Sequence, residues 1–539
     1  MKKIIFQRCL LLAVAGIFVS GTAVGQRGRA PLEQQALSAM KKATQFMMDE
    51  VSYNGGFVWN YLPDFSRQWG EMEAKRTMVW VQSPGTPGIG HLLLDVYHAT
   101  GDEYYYQMAE KVTNALIWGQ LECGGWNYMF DFAGEASLKD WYATIGKSGW
   151  RLEEFQHYYG NATFDDAGTM ESANLLLRMY IEKFDPKFKP ALDKAIDFVL
   201  ESQYPIGGWP QRYPLRYDFA KKGNPDYSSF ITLNDDVAEE NIDFLIRCYQ
   251  ALGEQRVVEP IIRAMNSLRI LQQGPPQAGW AMQYDLTLQP RGARTYEPNG
   301  IASHTTAACI AKLMDYYQLT GDTKYLIGIP AALEFLESAK ISAADLAKWG
   351  REVPEGMIAC PTLIELGTGL PRYIHRRGSN VYNGEYYFSQ NLENVIGHYG
   401  SVRMIPLSAL SNRYQELLKM PKEEAVKGSP LLETELVELP KFFTSSRFGR
   451  EVTAETVQRI VGELNQEGYW PTPLSSTSNP YVGPGNPNEI TPGDYRSTNV
   501  GDKYDTSPYR NENPEMGISS GTYINNMFTL ARYLENLKK

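Results

Sequence analysis

Acidic residues occur in pairs at two points of the sequence where helices are predicted to begin. Asp165 and Asp166 precede one apolar-periodic segment, and Asp235 and Asp236 precede another. A single aspartate at such a point is usually an N-cap, because its side chain accepts hydrogen bonds from free backbone N–H groups. Pairs at two corresponding points exceed what capping requires, and carboxylate oxygens from several segments suit Ca²⁺. The acids therefore indicate either helix capping or a metal site.

Arginines lie in three loops that are rich in glycine and proline. The arginines of the three loops are Arg212 and Arg216, Arg291 and Arg294, and Arg372, Arg376 and Arg377. One such arginine usually ties a loop to the surface. Three loops of this kind between acidic helix starts indicate a site for a carboxylated or phosphorylated ligand, because a guanidinium pairs with two oxygens of such a group.

The elements that would position these residues form a repeat. Each unit is a pair of helices, and the second helix ends in a glycine pair or near-pair followed by a large aromatic residue. These turns lie at 54–57, 123–126, 207–209, 277–280 and 466–470. Apolar spacing predicts helices over 32–48, 88–100, 104–122, 169–184, 188–203, 236–252, 256–273, 305–319, 324–339, 452–464 and 520–537.

Stacked helical hairpins can form an open solenoid or a closed ring, because one hairpin cannot bury its apolar face alone. Segment 32–48 looks like a second helix without its first, and 520–537 looks like a first helix without its second. Pairing of these two would close the ring. We therefore expect an all-α protein, an (α/α) toroid whose turns and loops line one mouth.

Two segments do not fit the repeat. They are residues 345–440, of which 350–380 read as loops and short strands, and residues 471–515, which are rich in Pro, Ser, Asn and Gly. The expected division is a signal peptide over 1–25, a toroid with catalytic loops over 26–440, and a segment over 441–539 that completes the ring and carries a long loop over it.

Composition excludes several classes of protein. The 539 residues are 43% hydrophobic, which allows a large core and argues against disorder. The net charge is −10 without a basic run beyond the N-terminus, so no nucleic-acid footprint is present.

A charged start, an apolar run over 9–19 and a small-residue cleavage site before Gln26 predict a signal peptide. That run is too short for a comfortable membrane span, so we expect a soluble periplasmic or secreted protein.

Residues 164–376 resemble pectate lyases of polysaccharide lyase family ten, with a family-like core over about 160–380. The resemblance rests on runs at 203–216, 230–236, 293–297 and 365–368, together with Arg376. The first run is the most specific, and it contains Gly207-Gly208-Trp209-Pro210-Gln211-Arg212.

The resemblance implies an (α/α) toroid that cleaves polygalacturonate by anti β-elimination with Ca²⁺. It implies that Asp165 is an acid near the substrate and its Ca²⁺, and that Asp235 is another acid of the same cleft. The expected metal ligands are Asp165, Asp235 and Asp236. Arg294 matches the arginine proposed as the catalytic base. A guanidinium is a poor base, so cations and Ca²⁺ around Arg294 would have to lower its pKa.

The resemblance also gives the residues expected to bind the substrate. Arg216 matches a cation that contacts a sugar carboxylate, and Arg376 matches a substrate-binding arginine. Trp209 and Arg212, in the most specific run, complete the expected set.

Four positions depart from the family pattern. Thr362 stands where an arginine is expected, Tyr284 where a histidine is expected, Arg377 where an aspartate is expected, and Asp166 where an asparagine is expected. These changes leave the proposed metal acids and the base in place and alter the groove, so the substrate can be a decorated or different uronan.

The sequence therefore predicts an exported, monomeric, Ca²⁺-dependent lyase acting on a uronic-acid polysaccharide. Two other functions stay open. A glycoside hydrolase on the same toroid could use the carboxylates of Asp165 and Asp235. A glycan-binding relative without catalytic activity would also fit, since Thr362 replaces an expected arginine.

Overall fold

The structure is a computed structural model of the chain. It describes residues 31–148, 153–217, 225–350, 352–377, 385–393, 401–432, 452–474 and 516–538, together with residues 220 and 395. The predicted signal peptide, and residues 475–515 of the predicted long loop, lie outside the described residues. No helix in the described ranges has the length and apolar character needed to cross a membrane.

Helices dominate the described chain, and the predicted helical hairpins are confirmed. The helices are α1 (Leu32–Phe46), α2 (Thr86–Thr100), α3 (Glu103–Gly119), α4 (Glu135–Ala143), α5 (Gly168–Lys183), α6 (Lys189–Ser202), α7 (Val237–Leu252), α8 (Val258–Leu271), α9 (Ser303–Thr320), α10 (Ile329–Ser338), α11 (Ala343–Trp349), α12 (Leu407–Lys419), α13 (Lys422–Ala425), α14 (Ala454–Glu463) and α15 (Ser520–Leu537).

The helices pack as an (α/α) toroid, as the repeat predicts. Within the hairpins α2 packs on α3, α5 on α6, α7 on α8 and α9 on α10. The first helices of neighbouring hairpins contact each other in the order α15, α2, α5 and α7. The two chain ends meet, because α1 packs against both α14 and α15. The predicted pairing of the terminal helices is therefore confirmed.

The Gly-Trp turns are architectural. The indole N–H of Trp209 donates to the Val199 carbonyl at 2.8 Å, in the helix that precedes the turn. Trp126, Trp280 and Trp470 make the corresponding bond to their own preceding helices. Gly207 has φ +111°, and a Cβ there would lie 2.3 Å from the Arg263 carbonyl oxygen. Glycine is required because the turn approaches the next helix so closely.

Short strands lie between the helices. The strands are β1 (Asn60–Tyr61), β2 (Gln68–Trp69), β3 (Glu73–Ala74), β4 (Met78–Trp80), β5 (Met129–Asp131), β6 (Ala162–Thr163), β7 (Arg212–Tyr213), β8 (Ile231–Thr232), β9 (Gln283–Tyr284), β10 (Pro290–Arg291), β11 (Ile301–Ala302), β12 (Ile358–Pro361), β13 (Leu363–Ile364), β14 (Tyr373–Arg377), β15 (Glu385–Ser389), β16 (Val402–Ile405), β17 (Thr472–Pro473) and β18 (Met516–Ser519).

Two of these strands fix where the acidic helix starts lie. β6 pairs antiparallel with β7, and β8 pairs antiparallel with β9. The N–H of Thr163 donates to the Trp126 carbonyl at 2.8 Å, and the N–H of Thr232 donates to the Trp209 carbonyl at 2.9 Å. Because each strand leads directly into a first helix, the acidic turns after β6 and β8 come to lie side by side.

The repeat extends further than the sequence predicted. Residues 345–440 were not expected to fit the repeat, but they contain α12, which packs on α9 and α10. Its buried residues Leu407, Leu410, Tyr414 and Leu417 have helical spacing. The surrounding loops and strands obscured this short apolar pattern.

Candidate active site

Two turns with the same backbone shape carry the acidic residues. Each is a 3₁₀ turn that ends in two consecutive left-handed residues. These are Asp166 (φ 50°) and Ala167 (φ 59°) in one turn, and Asp235 (φ 53°) and Asp236 (φ 56°) in the other. Left-handed backbone is uncommon outside glycine, although aspartate tolerates it better than most residues. Asp166 therefore corresponds to Asp235, and Ala167 corresponds to Asp236.

This correspondence favours a ligand set that differs from the predicted one. Among the described residues, Asp165, Asp166 and Asp235 can each place one carboxylate oxygen within 4.8 Å of the others. Asp236 is not in this group and interacts with Glu239 instead. Matching the two acid pairs by sequence sets Asp165 against Asp235 and Asp166 against Asp236. The backbone conformation instead sets Asp166 against Asp235, one residue further along the first turn. Asp166 therefore takes the place that was expected for Asp236.

Asp165 lies at the centre of the cluster and is only 1% exposed. Its Oδ2 accepts hydrogen bonds from the Tyr128 hydroxyl, from Gln211 Nε2 at 2.9 Å and from Arg294 Nη2 at 2.7 Å. Its Oδ1 has no hydrogen-bond donor. Neither Tyr128 nor Gln211 was assigned a role from the sequence, although Tyr128 lies two residues after Trp126 and Gln211 lies within the most specific run.

Burial and neighbouring charges shift the pKa values of the three carboxylates in different directions. Burial alone raises the pKa of Asp165, but the Arg294 guanidinium and hydrogen bonds hold it below its usual value. Burial, followed by the charge of Asp165, raises the pKa of both Asp166 and Asp235 well above the usual range. Three carboxylates this close together carry more negative charge than their surroundings neutralise. Oδ1 of Asp165, which lacks a donor, and the oxygens of Asp166 and Asp235 therefore fit a hard divalent cation such as Ca²⁺.

Arg294 is surrounded by carboxylates and is 4% exposed. Its Nη2 donates to Asp165, its Nη1 to Glu297 Oε1 at 3.0 Å and its Nε to Glu154 Oε2 at 3.1 Å. Burial alone lowers the pKa of Arg294, but the charges of Glu154, Glu297 and Asp165 hold it well above its usual range. A base at this position would need cations around it to lower its pKa, but the described neighbours are anions, which stabilise the protonated guanidinium.

Two predicted substrate-binding residues are buried in the protein. Trp209 is 0% exposed and Arg212 is 1% exposed, and both side chains make hydrogen bonds within the protein. Arg212 donates from Nη1 to Asn127 Oδ1 at 3.1 Å, and its guanidinium carbon lies 5.2 Å from the centre of the Tyr128 ring. Arg212 therefore supports the tyrosine that binds Asp165, and Trp209 belongs to the core.

Replacing Trp209 by phenylalanine is expected to lower the free energy of unfolding by about 1–2 kcal/mol, because it removes a buried hydrogen bond and part of a packed ring. Chemical denaturation measures this loss. Activity per folded molecule should stay unchanged. The matched control is Trp118→Phe at a half-exposed position, which should leave stability nearly unchanged. A fall in substrate affinity of folded Trp209→Phe would contradict the assignment to the core.

Two further predicted substrate-binding residues have different positions. Arg216 is exposed, and its Nη2 lies 3.4 Å from the Gly160 carbonyl, just before β6. Its guanidinium is therefore accessible to solvent. Arg376 belongs to β14 through its backbone, and its side chain lies outside the described part of the chain.

Two of the departures from the family pattern have structural explanations. Thr362 is 1% exposed and donates from its hydroxyl to the Ser401 carbonyl at 3.0 Å. Tyr284 is buried, and its hydroxyl accepts a hydrogen bond from the Ala281 N–H at 2.7 Å. Both residues hold loops in place.

Residues 138–362 match the sequence model of the family described as pectic acid lyase. No curated protein is similar enough to match. Among solved structures, an aspartate-to-alanine variant of a family 10 polysaccharide lyase from Cellvibrio cellulosa, in complex with trigalacturonic acid, is 17% identical. That match covers 53% of this chain and 93% of the other, with a TM-score of 0.36.

Two other solved structures match over most of this chain. A cellobiose 2-epimerase from Spirochaeta thermophila is 11% identical and covers 96% of this chain and 100% of its own, with a TM-score of 0.40. An α-1,6-mannanase from Salegentibacter is 12% identical. That match covers 94% of this chain and 100% of the mannanase chain, with a TM-score of 0.36.

The family match supports a carbohydrate-active enzyme that processes polysaccharides. It also contains the acidic turns and Arg294. The resemblance seen in the sequence is therefore confirmed: residues 138–362 of this chain are a divergent match to the pectic acid lyase family.

Proposed function

We propose that this protein is a Ca²⁺-dependent lyase that cleaves polygalacturonate-type uronans by anti β-elimination. One observation carries the proposal. Three carboxylates whose oxygens lie within 4.8 Å of one another adjoin a buried arginine, Arg294, through its 2.7 Å bond to Asp165. The acidic cluster could hold a divalent cation, and the guanidinium of Arg294 is fixed beside it. Together, the cation and the guanidinium would offer two positive charges to a uronate carboxylate.

The chemistry explains why these charges are useful. A base takes the proton from C5 of the uronate, and the electrons of that C–H bond form the C4=C5 double bond. The C4–O bond breaks, and the departing oxygen takes up a proton. Negative charge develops on the uronate carboxylate in the transition state, and nearby cations stabilise it. Bound Ca²⁺ supplies positive charge that neutralises this carboxylate and makes the C5 proton more acidic.

The residues of the chain have separate roles in this proposal. Asp165, Asp166 and Asp235 hold the cation, and Tyr128 and Gln211 orient Asp165. Arg294 binds the carboxylate and stabilises the developing charge. The resemblance also assigns the base to Arg294. A neutral guanidine can form there only when part of the surrounding negative charge is removed, because the carboxylates hold its proton in place.

The hydrolase alternative is less favoured. Glycosidases separate their two carboxyl groups by about 5–5.5 Å or about 6.5–9.5 Å, so that a glycosidic bond or a water fits between them. Asp165 and Asp235 instead interact directly with each other. That closeness favours shared binding of a cation over attack from both sides of a sugar.

The N-terminal sequence supports an activity outside the cytoplasm. Residues 1–25 have the charged start, apolar run and small-residue site of a signal peptide. We therefore propose a periplasmic or secreted protein. Export fits a polymeric substrate, because a polysaccharide of this kind is degraded outside the cytoplasm.

The test is an elimination assay on a panel of uronans. A lyase produces a 4,5-unsaturated uronide that absorbs ultraviolet light, and a chelator should abolish that signal while added Ca²⁺ restores it. New reducing ends without the absorbance would indicate a hydrolase. Binding without either product would indicate a glycan-binding protein. Either result, obtained with folded protein, contradicts the proposal.

A further inference from the structure

Glu154 lies against Arg294 where a substrate carboxylate is expected to bind. Its Oε2 accepts from Arg294 Nε at 3.1 Å, and Glu154 is only 5% exposed. It belongs to the short 3₁₀ turn Glu153–Phe155, which stands outside the helical repeat. A second contact anchors this turn, because the Thr295 N–H donates to Glu153 Oε1 at 3.2 Å. The turn therefore places an extra acid on the catalytic-site arginine.

Glu154 occupies a nitrogen of Arg294 that a substrate carboxylate would also use. An arginine binds a carboxylate most strongly with two parallel N–H groups, such as those on Nε and one Nη nitrogen. Here Nε donates to Glu154, Nη2 donates to Asp165, and Nη1 donates to Glu297. All three nitrogens are engaged with protein carboxylates. A uronate carboxylate must compete for this guanidinium, and Glu154 is the partner outside both the acidic cluster and the loop of Arg294.

We propose that Glu154 is a specificity-determining residue, whose charge disfavours a free uronate carboxylate at Arg294 relative to a neutral, esterified one. This inference rests on the proposed lyase function and concerns the sugar that contacts Arg294. Two carboxylates on one guanidinium repel each other, and burial strengthens the repulsion because water does not screen it. A methyl ester at the same sugar has no charge and escapes this penalty. Discrimination of this kind, by a group that repels one ligand, is a common source of specificity.

The experiment compares Glu154→Gln with wild type on polygalacturonate and on its methyl ester. Glutamine keeps the shape and an acceptor oxygen, and it removes the charge. The ratio of kcat/KM for the free acid to that for the ester should rise by about tenfold, equivalent to about 1.4 kcal/mol. The matched control is Glu153→Gln, which removes a charge from the same turn. Glu153 accepts a hydrogen bond from the backbone N–H of Thr295. Its ratio should stay within about twofold of wild type.

A binding measurement makes the test independent of turnover. Calorimetry with trigalacturonic acid and with its methyl ester should show the same shift in relative affinity for Glu154→Gln. If this variant does not fold, Glu154→Ala also removes the charge and should shift the ratio in the same direction. An unchanged ratio in the folded variant, or an equal change in Glu153→Gln, would overturn the role of Glu154. If no variant cleaves either polymer, the lyase function fails, while the binding ratio still tests Glu154.

Discussion

Arg294→Ala is expected to lower kcat/KM on a uronan by at least about a thousandfold. The variant loses a buried cation that contacts the reacting carboxylate, and single donors at such places contribute about 10²–10³ in rate. Arg294 also has no replacement nearby on its own loop, because Arg291 is half-exposed and pairs with Asp285 at 2.7 Å. The ultraviolet elimination assay measures the loss.

The controls separate catalysis from folding. Arg294→Ala leaves Asp165, Glu154 and Glu297 without their shared cation, which destabilises a buried ion cluster. Arg294→Lys keeps the charge but cannot reach three carboxylates with a planar fork, so it should lose about 10–100-fold in kcat/KM while remaining folded. Arg291→Ala should stay within about twofold of wild type. Full activity in a folded Arg294→Ala protein would exclude the proposed role.

The ring could be predicted from the sequence because the turns that end its second helices depend on local sequence. Each second helix ends at glycines that the next helix approaches closely, as Gly207 does against the Arg263 carbonyl. An aromatic residue follows and bonds back to its own helix, as Trp209 does. These requirements act within one or two hairpins and leave a repeating pattern of residue types. The same fact explains why Trp209 was wrongly assigned to the substrate, since a conspicuous motif can serve the fold alone.

The site was only partly predictable, because its contacts join distant parts of the chain. The sequence identified Asp165, Asp235 and Arg294 by type and by resemblance. It did not identify Glu154, which lies 140 positions from Arg294 and carries no motif. Nor could it choose between Asp166 and Asp236, because that choice depends on which residues of each acidic turn are left-handed.

Asp165→Asn and Asp235→Asn are expected to weaken Ca²⁺ binding by at least about tenfold each and to lower elimination activity by about 10²–10³-fold. Each substitution keeps the side-chain shape and removes one charged oxygen ligand, and Ca²⁺ affinity depends on the number of charged ligands. Asp165→Asn should have the larger effect, because Asp165 also binds Arg294, Tyr128 and Gln211. Calorimetric titration with Ca²⁺ and the elimination assay measure the two effects.

The neighbouring acids provide matched controls that test the register of the two turns. Asp236→Asn removes a charge directly beside Asp235, but Asp236 lies outside the group of three carboxylates, so Ca²⁺ affinity should change by less than about threefold. Asp166→Asn should weaken Ca²⁺ binding moderately and keep activity, because the family pattern that this sequence resembles has an asparagine at position 166 and an asparagine oxygen can serve as a ligand. If Asp236→Asn weakened Ca²⁺ binding as much as Asp235→Asn, the ligand set predicted from the sequence would be right, and the register given by the left-handed residues would be wrong. A Ca²⁺ affinity that none of the four variants alters would place the cation elsewhere in the protein, and the acidic cluster would then serve only to hold Arg294 in its protonated state.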